Sequence, residues 1–208
     1  MTTIEIIATV FGLACVLLYI RQSIWSWPTG LVQVVLYAWV FYHARLYSDF
    51  LLHIVYTALQ IYGWYHWLRG GKQDGQLPVR RISLRAAGLC GVIALLGTGS
   101  VGYLMRRFTN ADLPYWDATI MVLSLLAQYL IARKVLENWI IWVGVDILAT
   151  GVYWYKGLYV TTGLYSVFLF MAITGWIAWL KSYRTSSSAA AAVSCSANSS
   201  PLTVGTSS

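Results

Sequence analysis

The chain has 208 residues, of which 59% are hydrophobic and 10% charged, with a formal net charge of +7 and a mean hydropathy of +0.64. Soluble domains carry about a quarter charged residues, so this balance excludes a water-soluble globule and places the chain in lipid. A spanning helix needs about 20 mainly apolar residues, which leaves room for about seven spans and for no soluble domain of any size.

Apolar runs predict spans over 3–20, 28–43, 47–68, 83–104, 117–132, 138–155 and 159–180. No Lys or Arg precedes the apolar run that begins at Ile4, so the first span reads as retained and not as a cleaved signal peptide. An odd number of spans puts the termini on opposite sides. Of the 14 Lys and Arg residues, Arg45, Arg106, Arg107 and Lys156 fall on the face of the N-terminus. The other face receives Arg21, Arg69, Lys72, Arg80, Arg81, Arg85, Arg133, Lys134, Lys181 and Arg184. By the positive-inside rule the second face is cytoplasmic, with the N-terminus periplasmic. These charges are dispersed over loops without a nucleic-acid-binding pattern, so no nucleic-acid partner is expected. Cys15 and Cys90 lie in spans and Cys195 in a polar tail, with no metal-ligand spacing, so neither metal nor cofactor is expected. From Thr185 the composition turns Ser/Ala-rich and loses its aromatics, which predicts a disordered tail over 185–208.

Sliding the chain by 112 residues lays 21–68 over 133–180 without a gap. Arg21/Arg133, Trp27/Trp139, Tyr47/Tyr159, Gly63/Gly175, Trp64/Trp176 and Trp67/Trp179 are among the identical pairs, and G-W-x-x-W-L recurs whole. Spans 2 and 3 then correspond to spans 6 and 7, and span 1 to span 5, leaving span 4 as a linker. Equivalent spans are four crossings apart, so both halves enter the membrane in the same direction. The expected fold is an all-α membrane protein of seven transmembrane helices, two parallel three-helix repeats joined by a linker helix (3+1+3). Its parts are a first bundle over 1–68, a loop and linker helix over 69–105, a second bundle over 106–184 and the tail. Transporters are often built this way, with the solute near the midplane between two halves that rock. The Gly and Ala of span 4 suit close helix contact.

Polar residues at membrane depth are costly unless they pair or face water, so they are read as functional first. Trp139, Trp142, Asp146 and Tyr153 lie on one stripe of the sixth span, which Asn138 begins, and Tyr56, Gln60, Trp64 and Trp67 lie on one stripe of the third. The second span adds Gln33, Tyr37 and Phe41. Flat aromatic faces, amides and one deep carboxylate suit a flat polar ring, and aromatic faces attract cations by about 0.5–2 kcal/mol per contact. The basic residues sit at span ends, where they cannot neutralise a phosphate at mid-membrane. The expected solute is therefore uncharged or cationic and unphosphorylated. Trp25, Trp27, Trp67, Trp176 and Trp179 read instead as an interfacial belt. Asp49 and His53, four residues apart, read as a capping or interfacial pair before a proton relay. No hydrolase or metal signature is present, so the chain is not read as an enzyme.

WSWPTG at Trp25 to Gly30, YSDF and QIYGWYHWL of the third span, and NWIIWVGVD followed by YWYKGLYVTTGLY over 138–165 resemble the PnuC-type nicotinamide riboside transporters. The likeness runs from Ser23 to Trp179 and includes the W-x-x-W pair at Trp139 and Trp142 and K-G-L-Y at Lys156 to Tyr159. It implies an architecture related to the SWEET sugar transporters. It further implies facilitated diffusion of nicotinamide riboside across a bacterial inner membrane for NAD biosynthesis, made one-way by a cytoplasmic nicotinamide riboside kinase. The resemblance assigns Gln60, Trp64, Trp139, Trp142 and Asp146 to substrate contact, and Gln33, Tyr37, Tyr56 and Tyr153 complete the expected lining. Membrane lipids surround such a protein, and a homo-oligomer is compatible with it. Relatives on this scaffold carry thiamine, another cationic ring, which is the alternative solute. A membrane enzyme acting on a lipid is the alternative of a different class, disfavoured because no catalytic constellation is present.

Overall fold

The computed structural model describes residues 3–45, 47–70, 77–109 and 112–198 and is helical apart from short connections. In chain order its helices are α1 (Thr3–Ile20), α2 (Ser26–His43), α3 (Tyr47–Arg69), α4 (Leu84–Phe108), α5 (Pro114–Ala132), α6 (Asn138–Tyr155) and α7 (Tyr159–Asn198). They match the seven predicted spans in number and order. Four of them, α1, α4, α5 and α7 over Tyr159–Ser188, are long and apolar enough to cross a membrane by length and composition alone. The others, α2, α3 and α6, carry Gln33, Gln60, Asn138 and Asp146 among their Trp and Tyr rings. They are the helices from which the sequence predicts a polar lining.

One end differs from expectation. Residues 185–198, predicted to be disordered, continue α7. An alanine run propagates a helix that is already nucleated without needing a core of its own. Ser186 and Ser188 help by donating their hydroxyls to the carbonyls of Ser182 and Arg184, one turn back. Residues 199–208 lie outside the described residues.

The 112-residue repeat reaches down to the turns. Gln22, Arg45 and Lys134 have positive φ, as does Gly157, and they pair as Gln22/Lys134 and Arg45/Gly157 at the repeat offset. Each follows a helix end closed by the 5→2 hydrogen bond of a Schellman motif: Gln22 N to Tyr19 O, Lys134 N to Ile131 O, Arg45 N to Tyr42 O and Gly157 N to Trp154 O. The 6→1 bonds correspond too, Ser23 N to Leu18 O at 2.9 Å against Val135 N to Leu130 O at 3.0 Å. Equal turns at equal spacing give the two halves the same internal path.

Six helices close into a ring through the neighbours α1–α2, α2–α3, α3–α5, α5–α6, α6–α7 and α7–α1. The seams between the halves are thus α3–α5 and α1–α7. Helix α4 packs outside the ring, on α5, and presents Leu84, Leu95, Leu96 and Phe108 outward. In water these would be a liability; in lipid they are the contact surface.

The C-terminal ends of α1, α3 and α5 and the basic residues after them share one end of the ring, here called the basic end. An aromatic plug fills the ring at this level: Trp27, Trp67, Trp139 and Trp179 are buried together with Tyr19, Ile131 and Leu136. Trp27, Trp67 and Trp179 are therefore not belt residues as their amphipathic rings suggest. Trp25, on the same end, is 69% exposed and remains where a belt would be. The rings meet edge to face, Trp27 on Trp67 at 5.3 Å and Trp139 on Trp179 at 5.6 Å, the arrangement their quadrupoles favour.

Two indole N–H groups tie the halves at the plug. Trp67 Nε1 donates to Ile131 O at 3.2 Å and to Ala132 O at 3.1 Å, across the α3–α5 seam. Trp179 Nε1 donates to Tyr19 O at 2.9 Å, across the α1–α7 seam. Trp67/Trp179 and Tyr19/Ile131 are both repeat pairs, so each half gives the other the same bond. By contrast, Trp27 Nε1 and Trp139 Nε1, also a repeat pair, are buried with no hydrogen-bond partner among the described residues, at a cost of about 1–3 kcal/mol each. Lys134 places its ammonium 4.7 Å from the centre of the Trp67 ring. Burial pushes the Lys134 amine down to about 8, so at neutral pH it is still a cation and the ring contact is a cation–π one. Finally, the segment before α4 is strapped over the plug. Arg80 N donates to Lys134 O and Leu136 N to Arg80 O, while Arg81 pairs with Glu137 at 3.2 Å and Val79 is buried against the aromatic rings.

The recurring G-W-x-x-W-L now has a cause. The Trp27 ring lies on Gly63 and the Trp139 ring on Gly175, where an added Cβ would meet the indole. Gly63→Ala and Gly175→Ala should each cost about 1–3 kcal/mol by overpacking, read as a lower thermal midpoint of Trp fluorescence in detergent. Gly144→Ala, where a Cβ meets nothing within 4 Å, should leave the midpoint unchanged or slightly raised.

Candidate functional site

Above the plug the two halves differ at a set of inward positions. At the repeat offset, Gly30 stands opposite Trp142, Val34 opposite Asp146, Gln60 opposite Ala172, Val16 opposite Gln128, Gly12 opposite Ser124 and His53 opposite Tyr165. In the first four of these pairs a small or apolar residue in one half faces a large or polar one in the other. The four tryptophans that pack the plug and the two glycines under them are identical in the two halves; these lining positions are not.

Gln60 is buried on α3. Its Oε1 accepts from the Tyr19 hydroxyl at 2.9 Å, and that hydroxyl accepts from Gln128 Nε2 of α5 at 3.3 Å. The chain Gln128–Tyr19–Gln60 links α5, α1 and α3 across both halves. It exists because Gly30 leaves room: a Cβ there would collide with the Gln60 amide and stand 2.8 Å from Cys15 Sγ. In the second half the swap is reversed, with the large ring at Trp142 and the small residue at Ala172.

Asp146 is 3% exposed on α6 and accepts no hydrogen bond from a described residue. It lies near Tyr165 of α7, which also has Tyr56 and Tyr153 about it. The Tyr153 and Tyr165 rings are 5.1 Å apart, and Tyr56 of α3 turns toward Ser124 of α5. A carboxyl group among phenol rings, with amides one level below, is placed to meet a cation.

The remaining expected residues distribute as follows. Trp142 is half-buried beside the plug. Gln33 points at Gly12 of α1, and the Tyr37 hydroxyl pairs with Thr9 Oγ1 at 2.9 Å while its ring stacks on Phe41, so both are engaged within the first three helices. Trp139 belongs to the plug, below the lining. Trp64 is 36% exposed, on the flank of the α3 stripe whose buried members are Gln60, Gly63 and Trp67. His53 Nδ1 meets the Asp49 backbone carbonyl at 2.9 Å and not its carboxylate. Tyr19, Ser124, Gln128 and Tyr165 are lining residues that reading single stripes missed. The polar-for-apolar mismatches at the repeat offset would have found Ser124 and Gln128. A groove between α5 and α6, lined by Leu113, Trp116, Ile147, Gly151 and Tyr155, opens outward and is apart from this lining.

Residues 2–181 match the family described as Nicotinamide mononucleotide transporter. The chain is 30% identical over 206 residues to the nicotinamide riboside transporter PnuC of Escherichia coli (strain K12), covering 87% of this chain and 86% of that protein. It is 29% identical over 189 residues to the riboflavin/roseoflavin transporter RibM of Streptomyces davaonensis, covering 88% and 87%. Among solved structures it is similar to a crystal structure of the vitamin B3 transporter PnuC, with a TM-score of 0.69 and 26% identity over 88% of this chain and 82% of that one.

The shared hydroxyl at Tyr19 makes one prediction. Tyr19→Phe removes a donor from Gln60 and an acceptor from Gln128 while keeping the ring, and should lower stability by about 1–3 kcal/mol, measured as an earlier thermal midpoint. Gln128→Leu on top of it should cost less than the two single losses added, because the partners are shared.

Proposed function

The chain belongs to the nicotinamide mononucleotide transporter family, and on that premise we propose that it carries nicotinamide riboside into the cell by facilitated diffusion. The observation that carries the choice of solute is Asp146, a buried carboxyl group with no hydrogen-bond donor among the described residues, one helical turn from Trp142 and near Tyr165. The pyridinium of nicotinamide riboside supplies the missing positive charge and a flat face for the rings. The Gln60 and Gln128 amides can donate to and accept from the ribose hydroxyls. Although the family description names the mononucleotide, a phosphate in this lining would meet Asp146 and no basic side chain among the described residues at that depth, which favours the unphosphorylated nucleoside.

The binding residues in this reading are Trp142, Asp146, Tyr153, Gln60 and Tyr56. The basic end is the cytoplasmic one, by the distribution of Lys and Arg, and the membrane is the bacterial inner membrane. Solute enters from the other end, reaches the lining and leaves when the plug parts. A cytoplasmic kinase that phosphorylates the nucleoside would then prevent its return, because the product no longer fits the lining. A second reading comes from the Streptomyces relative, whose name gives riboflavin and whose identity to this chain is nearly as high. Its flat ring is uncharged and would leave Asp146 without a counter-charge.

Titration of the purified protein followed by Trp fluorescence should show binding of nicotinamide riboside and none of nicotinamide mononucleotide, thiamine or riboflavin. Asp146→Val, which installs the residue of the equivalent position 34, should weaken binding at least tenfold, and Trp142→Ala or Gln60→Ala about as much. Undiminished affinity in all three would remove this site. Uptake into proteoliposomes should persist without any ion gradient.

A further inference from the structure

We propose that the four buried tryptophans of the plug are a two-way gate, in which Trp67 and Trp179 hold the basic end shut and Trp27 and Trp139 favour its opening. The inference rests on the transporter reading only in that a path must open at this end; the identity of the solute does not enter.

Each member of the first pair spends its indole N–H on a carbonyl of the opposite half, Trp67 on Ile131 and Ala132, Trp179 on Tyr19. Parting the halves at either seam breaks these bonds. Each member of the second pair is buried with its indole N–H unmet, and parting the halves lets it reach water or a solute. The closed plug therefore gains at two positions what it loses at two others, and the balance lies close to even. A gate that must open in each cycle needs that balance, since a plug with all four donors satisfied would stay shut and one with none would not close. The geometry adds one asymmetry. Trp67 carries the Lys134 ammonium on its face, whereas the repeat mate of Lys134 is Gln22, so the α3–α5 seam is held more firmly than the α1–α7 seam. Opening then begins at α1–α7.

Cys15 is a native reporter: it is buried and packed within the plug cluster. In a chain carrying Cys90→Ser and Cys195→Ser, its labelling by a membrane-impermeant maleimide applied to the basic side of vesicles measures how often the plug parts. Trp67→Phe and Trp179→Phe keep the rings and delete the donors. Each should speed labelling about fivefold, and the double variant more than tenfold. Trp27→Phe deletes an unmet donor and should slow labelling severalfold. Faster labelling in Trp27→Phe would mean that any loss of indole merely loosens the plug, and would overturn the proposal, as would unchanged rates in Trp67→Phe and Trp179→Phe. Should those variants fail to fold, Lys134→Gln, which leaves every ring in place, should still speed labelling about threefold, and a rate no faster than the parent's would equally overturn it. Because labelling needs no solute, this experiment and the binding titration fail independently.

Discussion

The architecture depends on an indole N–H reaching a carbonyl of the other half, made twice by residues 112 apart. Each bond joins a third helix of one repeat to the end of the first helix of the other. Every part of the basic end is arranged around them. The Schellman turns after α1 and α5 present the accepting carbonyls, Gly63 and Gly175 admit the rings that pack beside the donors, and the strap through Val79 and Arg80 closes the assembly at the basic end. Within lipid, where apolar burial supplies little attraction between helices, close packing and hydrogen bonds of this kind are the available means of holding two bundles together.

A division of labour follows between residues that repeat and residues that do not. Trp27, Gly63 and Trp67 recur because glycine under indole tolerates no added atom, so both halves keep the same solution. Above them the constraint is no longer mutual packing but contact with something that lacks two-fold symmetry. There the halves diverge, and Asp146, Gln60, Gln128 and Trp142 each appear on one side only. The unpaired carboxylate is affordable in this setting because it faces the interior of the ring and not lipid.

Most of the fold was legible before any coordinate. Hydropathy located the seven helices, and the repeat gave their pairing, since identical residues at a constant offset survive where packing is tight. The part of the site on α3 and α6 was legible for the same reason, through helical stripes that put Gln60 and Asp146 on inward faces. What escaped has physical reasons. A buried Trp and an interfacial Trp look alike in sequence, so Trp27, Trp67 and Trp179 read as a belt, although their recurrence with Gly63 and Gly175 distinguishes them from Trp25. Gln128 and Tyr19 are isolated on apolar helices, and only the closure of the ring brings them to Gln60. Trp64 shares a stripe with Gln60 but is more exposed than it, because Gly63 and Trp67 take the buried positions beside it. The helix through residues 185–198 was missed because composition measures the ability to form a core and not the ability to extend a helix.

The exchange of Gly30 and Gln60 in one half for Trp142 and Ala172 in the other has a consequence for how a solute is counted. A chamber with true two-fold symmetry offers any asymmetric guest two poses of equal energy, related by half a turn, or room for two guests at once. Moving the bulk to one wall and the amide to the opposite wall removes that degeneracy. In the proposed site this leaves a single guest one way round, its ring toward α6 and its polar edge toward α3, and so one guest per cycle.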